Sequence, residues 1–277
     1  MMDRVQLATF QAVVEQGSFE AAARELHVTT SAVSQRIKAL ERAVGQVLVR
    51  RARPCTATAA GAALVRFAGQ VALLEREALA QARGGTRISI VVNVDSLNTW
   101  FLPVLAGVPG ATFELHTDDQ DYTADLLRSG AAMAAVTAEN VAVQGCRVER
   151  LGAMRYLAVA APGLDVTDLS RAPMIVYNRK DQLQHRFLSL LGLSPAAPLI
   201  HHVPAAAAFN EAIRLGLGWG AVPERNALPL LRSGQYVDLA PGRHLDVPLY
   251  WQRWRIESAL LTTLTTAVRS AAAAALH

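Results

Sequence analysis

The stretch Ser18–Gly45, SFEAAARELHVTTSAVSQRIKALERAVG, constrains the fold more than any other part of the chain. Val33, Ile37 and Leu40 recur at i, i+4 and i+7, which makes one apolar stripe on a helix. Ser31, Ser34, Gln35 and Lys38 recur at i, i+3, i+4 and i+7 on the opposite side. That second face offers donors, acceptors and a cation, a chemistry suited to base edges and phosphates in a DNA major groove. A helix with one packed face and one hydrogen-bonding face, second in a close pair, has the pattern of the recognition helix of a helix-turn-helix.

The preceding segment supports this. Ser18 can cap a helix, with Glu20 well placed in the first turn. Phe19, Ala22, Ala23 and Leu26 then recur at i, i+3, i+4 and i+7, and the two alanines allow close helix approach. His27-Val28-Thr29 reads as the turn, and Thr29 or Thr30 can cap the next helix. Upstream, Val5–Gln16 predicts a third helix with Leu7, Phe10, Val13 and Val14 inward.

Residues 1–85 resemble the N-terminal domain of LysR-type transcriptional regulators. The resemblance rests on the Phe19/Ala22/Ala23 helix, the run Thr30-Ser31-Ala32-Val33-Ser34-Gln35-Arg36-Ile37, then Leu40-Glu41, Gly45, and Thr58…Gly61 at the start of a long helix. It implies DNA contacts from Thr30, Ser31, Ser34, Gln35, Arg36 and Lys38. After Gly45, a short strand, the basic turn Arg50-Arg51-Ala52-Arg53-Pro54 and a return strand predict a wing. Its Arg51 and Arg53 would reach phosphates or the adjacent minor groove. Thr58 caps a helix running to about Arg83, roughly 37 Å long at 1.5 Å per residue. Leu64, Phe67, Ala68, Val71, Leu74 and Ala78 give it an apolar stripe. The resemblance implies that this linker helix pairs with its copy in a second subunit.

Charge follows the same division. Residues 1–87 hold 12 Lys and Arg against 7 Asp and Glu, a net of +5, in a chain whose total is +4. The basic excess therefore sits with the expected DNA-binding part, as binding through counterion release requires. The N-terminus lacks the apolar core of a signal peptide, and no uncharged apolar run approaches bilayer length. Cys55 and Cys146 are far apart and have no CxxC or metal-type spacing, which fits a reducing compartment. A cytoplasmic protein without membrane association is expected.

Beyond the hinge Arg83-Gly84-Gly85-Thr86 the pattern changes to alternating strands and helices, which predicts parallel sheets. The fold class expected is α/β overall. The resemblance implies that an N-terminal winged helix-turn-helix and a long linker helix precede a two-lobed α/β effector domain of the periplasmic-binding-protein type. The divisions expected are 1–58 for the DNA-binding domain, 59–87 for linker and hinge, and 88–277 for the effector domain. Lobe I covers about 88–161 and 250–277, and lobe II about 162–249.

Ligands of open α/β sheets bind at the carboxyl ends of strands, beside helix N-termini. That rule selects Asp95, Ser96, Thr99 and Trp100 after the first strand and Asp118, Asp119 and Asp121 after the second. Thr137 follows the next strand, and Asn178, Asp181, His202 and Trp219 come from the other lobe. The resemblance implies an effector-binding hydroxyl at Ser96 and a cleft-facing Thr137. The acidic loop reads equally well as a solvated turn or as a receptor for a cationic ligand.

NVDSLNTWFLP, DDQDYTADLLRSG, AAVTAE, GCRVERLGAMRYL, LGLGWGAVPE and LDVPLYWQRW are together similar to the LysG/ArgP branch of the family. That similarity implies an activator of a basic amino acid exporter gene that senses lysine or arginine. It also implies a dimer or tetramer on double-stranded operator DNA, working with RNA polymerase and without a cofactor or metal. One departure stands out. Relatives carry hydroxyl residues and a glutamate after the position of His202, where this chain has Pro204-Ala205-Ala206-Ala207-Ala208; a different small effector is the alternative.

An enzyme is not expected. The sequence has no Gly-rich phosphate loop, zinc-ligand cluster or GxSxG elbow. A transporter's solute-binding protein is disfavoured by the missing signal peptide and the fused helix-turn-helix.

Overall fold

The computed structural model describes residues 3–83 (backbone alone over 76–83), 86–117, 125–128, 130–196 and 198–277. It opens with three helices: α1 (Arg4–Gln16), α2 (Phe19–Glu25) and α3 (Thr30–Val44). Each start has the chemistry that its sequence offers. Asp3, Ser18 and Thr29 accept hydrogen bonds from Val5 N, Ala21 N and Ala32 N, satisfying amides that the first helical turn leaves unpaired. Gly17 and Gly45 end α1 and α3 in the left-handed conformation. Phe10, Val13, Ala22, Val33, Ile37 and Leu40 are wholly buried among these helices.

The wing is a two-stranded antiparallel hairpin, β1 (Val49–Arg50) with β2 (Thr56–Ala57). Glu41 Oε1 on α3 accepts from Leu48 N at 2.9 Å and so fixes the wing to the second helix of the pair. Thr58 then caps α4 (Ala59–Arg83), its Oγ1 accepting from Gly61 N at 3.0 Å.

Of the apolar stripe expected on α4, Ala68 is buried, while Val65 and Leu73, one position away from expected members, take the inward places. Val65 and Ala68 pack into the N-terminal core, and Leu73 into the core of the first lobe. Phe67 and Leu74 are each 44% exposed on the other edge. Leu64 and Val71 are half-buried, and the side chain of Ala78 lies outside the described residues.

The effector domain contains β3 (Thr86–Val92), β4 (Ala111–His116), β5 (Ala134–Thr137), β6 (Cys146–Ala160) and β7 (Met174–Val176). β8 (Ile200–His202), β9 (Gly220–Pro223), β10 (Val237–Asp238) and β11 (Leu245–Trp254) follow. Its helices are α5, α6 (Leu183–Leu190), α7 (Ala206–Arg214), α8 (Glu224–Arg232) and α9 (Ala259–Ala275). α5 is a continuous helical run of three pieces, Val94–Ser96, a π turn Leu97–Phe101, and Leu102–Ala106. Residues 125–128 are also helical.

The sheets are mixed rather than parallel throughout. β3 pairs in parallel with β4 and β5, and β7 with β8, but β11 runs antiparallel to β5 and β6, and β6 antiparallel to β9 and β10. The reason lies in two long strands that pass through both lobes. Cys146–Arg150 of β6 pair with Tyr250–Trp254 of β11 in lobe I, whereas Tyr156–Val159 of β6 pair with β9 in lobe II. The chain thus changes lobe inside β6, ahead of the expected break at 161. Gly152 marks the place: it has φ 144, and a Cβ there would meet Leu276 Cβ at 2.8 Å. β11 has its register irregularity opposite, between Leu249 and Tyr250.

Candidate DNA-reading face and interlobe cavity

On α3 the two faces separate as their chemistry demands. Val33, Ile37 and Leu40 are fully buried, while Thr30, Ser31, Gln35 and Lys38 are exposed and Ser34 is half-buried. Arg36 departs from this set, since its Nη1 lies 3.4 Å from Thr9 Oγ1 on α1. Arg53 is exposed in the wing, and the Arg51 guanidinium lies 5.0 Å from the centre of the Phe19 ring, a cation–π stack. The hydroxyl, amide and ammonium groups of α3 thus face outward beside the wing's arginines.

Between the lobes lies a cavity of about 220 Å³. Lobe I contributes Asn93, Val94, Asp95 and Asn98 from the start of α5. Lobe II contributes Tyr156 of β6, Tyr177, Lys180, Asp181, Gln182, Leu183 and Arg186 around the start of α6, and Ala206, Phe209 and Asn210 of α7. Ala221, Val222, Pro223 and Asn226 close it.

Asp181 is held rigidly. Its Oδ2 accepts from Tyr177 N at 2.8 Å and its Oδ1 from Leu183 N at 3.0 Å. Asn178 shapes the same turn, its Oδ1 accepting from Lys180 N and Asp181 N. Across the cavity, Tyr156 Oη donates to Asp95 Oδ2 at 2.7 Å. Burial pushes the Asp95 carboxyl above the usual carboxylate range; the bond from Tyr156 opposes that rise, and the charge of Asp181 adds to it. Burial and the Asp95 carboxylate together keep the Tyr156 phenol protonated well beyond its ordinary range. Asn93 Oδ1 is buried without a hydrogen-bond partner among the described residues. The cavity therefore offers two carboxyl groups, an amide oxygen, the Lys180 ammonium and the Arg186 guanidinium, partners for both the cationic and the anionic groups of a ligand.

The residues expected from the strand-end rule are distributed unevenly. Asp95 and Asp181 line this cavity, and Asn178 supports it from behind. Ser96 is fully buried, with Oγ unpartnered, and does not line the cavity. Thr99 and Trp100 border a separate cavity of about 230 Å³ that shares Pro223 and is closed by Arg155, Glu224 and His277. Thr137 is buried, its Oγ1 accepting from Glu139 N. Trp219 is wholly buried edge-on to Phe187 in the lobe II core, and His202 is exposed at the end of β8. Asp118, Asp119 and Asp121 lie outside the described residues.

Tyr156, Tyr177, Arg186 and Asn210 were not singled out by sequence. Tyr156 sits mid-strand, where a strand-end rule does not look. Asn210 and Arg186 face the cavity from inside helices, at positions that ordinary surface residues also occupy.

Residues 5–62 match the family of bacterial regulatory helix-turn-helix proteins of the lysR type, and residues 80–273 match the LysR substrate-binding domain. The chain belongs to the LysR family of transcriptional regulators. Among LysR relatives it is 44% identical to the lysine export transcriptional regulatory protein LysG of Corynebacterium glutamicum, over 98% of each chain. It superimposes on the crystal structure of ArgP from Mycobacterium tuberculosis with a TM-score of 0.90 and 46% identity, covering 100% of this chain and 99% of that one. With the full-length LysG of C. glutamicum carrying bound effector Arg, the TM-score is 0.83 at 42% identity, over the whole of both chains. These LysR-family relatives are regulators, not enzymes. Among the described residues of this LysR-family chain, no helix is long and apolar enough to cross a membrane.

Proposed function

We propose that this regulator senses a basic amino acid, lysine or arginine, in the interlobe cavity and activates a gene for basic amino acid export. The observation that carries this reading is that Asp95 of one lobe and Asp181 of the other line a single cavity. A free basic amino acid carries two cationic groups and one carboxylate. Two carboxylates can receive its ammonium and guanidinium or second ammonium, and Arg186 its α-carboxylate. Such charge-assisted bonds strengthen as closure excludes water. Relatives named for lysine export, and one with bound arginine, support the same assignment. Asp118, Asp119 and Asp121 add negative charge to the loop after β4 and are proposed to favour entry of the cation.

On the DNA side, Thr30, Ser31, Ser34, Gln35 and Lys38 read the major groove while Arg51 and Arg53 hold the backbone. The exposed Phe67 and Leu74 edge of α4 pairs two subunits, and effector lobes build dimers into tetramers. The regulator works in the cytoplasm, where it recruits RNA polymerase. Residues 1–58, 59–87 and 88–277 are its DNA-binding, linker and effector parts.

A calorimetric screen of the full-length protein against the twenty amino acids tests the sensing step. Heat confined to lysine, arginine and at most histidine supports it. Binding of a neutral or acidic amino acid instead would favour another effector, a reading that the apolar wall at Ala206 would then explain.

A further inference from the structure

Two carboxyl groups share the cavity before any cation has entered it. Asp181 accepts from two backbone N–H donors, at 2.8 and 3.0 Å. The Asp95 carboxyl group accepts from Tyr156 Oη, and that bond joins α5 of lobe I to the part of β6 that pairs in lobe II. A charged Asp95, half-buried, would stand in the same cavity as the Asp181 carboxyl group.

We propose that the cavity exchanges a proton for its cation: Asp95 is protonated when the cavity is empty and releases that proton to solvent when the effector's ammonium or guanidinium binds. This rests on the reading of a basic effector given above. No covalent bond to carbon changes; the O–H bond of Asp95 breaks, and its electron pair stays on the carboxylate that then faces the ligand cation. The groups facing Asp95 from the surrounding elements are Tyr156 of β6, Tyr177, Lys180 and Asp181 of the β7–α6 turn, and Arg186 of α6. The described lining of α7, β9 and α8 adds no titratable group. The upward push on Asp95 from burial and from Asp181 agrees with this arrangement. Sensing is consequently linked to pH, because acid competes with the effector for the same carboxylate. Tyr156 acts as a positioning residue: its hydrogen bond limits how firmly the proton is held.

Calorimetry of lysine binding to the full-length protein, in pairs of buffers with different ionisation heats between pH 5 and 8, counts the protons released. Release approaching one proton per lysine is expected at the acidic end, fading as pH rises, with the apparent Kd rising toward about tenfold per pH unit on the acid side. Tyr156→Phe shifts this release to higher pH, since the carboxylate loses its donor, whereas Asp95→Asn abolishes it. Lysine binding with no buffer dependence at any pH, or release that persists in Asp95→Asn, overturns the exchange while leaving basic amino acid sensing intact. Failure of lysine and arginine to bind at all overturns the sensing reading itself.

Discussion

Gly69 of the linker helix lies against the indole of Trp254, so closely that a Cβ there would meet Trp254 Cη2 at 2.8 Å. The contact joins the helix that follows the DNA-binding core to the last residue of β11 in lobe I. Neighbouring contacts reinforce it: Arg66 Nη1 donates to Arg128 O at 2.8 Å, and a Cβ at Gly130 would lie 3.1 Å from Arg66 Cα. α4 is thus seated on lobe I through a packed joint rather than a free tether.

Gly69→Leu fills that notch. Overpacking of this kind costs about 1–3 kcal/mol, read as a lower Tm. Lysine affinity should survive, while the effect of lysine on DNA binding should shrink. An unchanged Tm together with unchanged coupling would show that the joint is incidental.

Gln35→Ala and Arg53→Ala separate reading from holding. The first should lose about 1–3 kcal/mol of preference for operator over random duplex. The second should weaken both DNAs alike and reduce the slope of log K against log salt by about 1. Equal losses on both duplexes for Gln35→Ala would remove Gln35 from base recognition.

Thr29→Ala deletes the side-chain cap of α3, whose Oγ1 accepts from Ala32 N at 3.1 Å. The expected cost is about 1 kcal/mol, measured by chemical denaturation. A Thr29→Asn variant should recover most of it, because asparagine caps equally well.

The pairing of β6 with β11 has its own pH dependence. Arg155 Nε donates to Asp246 Oδ1 at 3.0 Å across the register, and that hydrogen bond holds the Asp246 carboxyl below the usual carboxylate range. A depressed folded-state value stabilises above the unfolded value, and the contribution disappears as pH falls through the folded one. Asp246→Asn should therefore flatten the acid limb of a stability–pH curve. The effect should be small, since both side chains are partly exposed and solvent screens them. An acid limb identical to wild type would exclude this pair as a contributor.

The N-terminal domain was legible in the sequence because its signals are local. Caps at Ser18, Thr29 and Thr58 and the stripe Val33/Ile37/Leu40 all act within one or two helical turns. The effector cavity was legible only in part. Strand ends point to two loops that line the cavity, with Asp95 and Asp181, but neighbouring residues of a helix start face different ways, so Ser96 enters the core and Thr99 the far side. β6 runs from Cys146 to Ala160. Its first half pairs with β11, more than ninety residues later in the chain, and such long-range pairing leaves no local pattern. Tyr156 escaped notice for a similar reason, since its hydrogen-bond partner Asp95 lies 61 residues earlier in the chain.

Effector and operator must act on each other if one cavity controls one DNA-reading face. The decisive experiment titrates lysine into the full-length protein with and without a duplex from its own promoter, and titrates the duplex with and without lysine. The two affinities should change by the same factor, and Asp181→Asn should abolish the lysine response while leaving lysine-free DNA binding unchanged. Lysine that binds with equal strength to the free and DNA-bound protein would contradict a sensing role for the interlobe cavity.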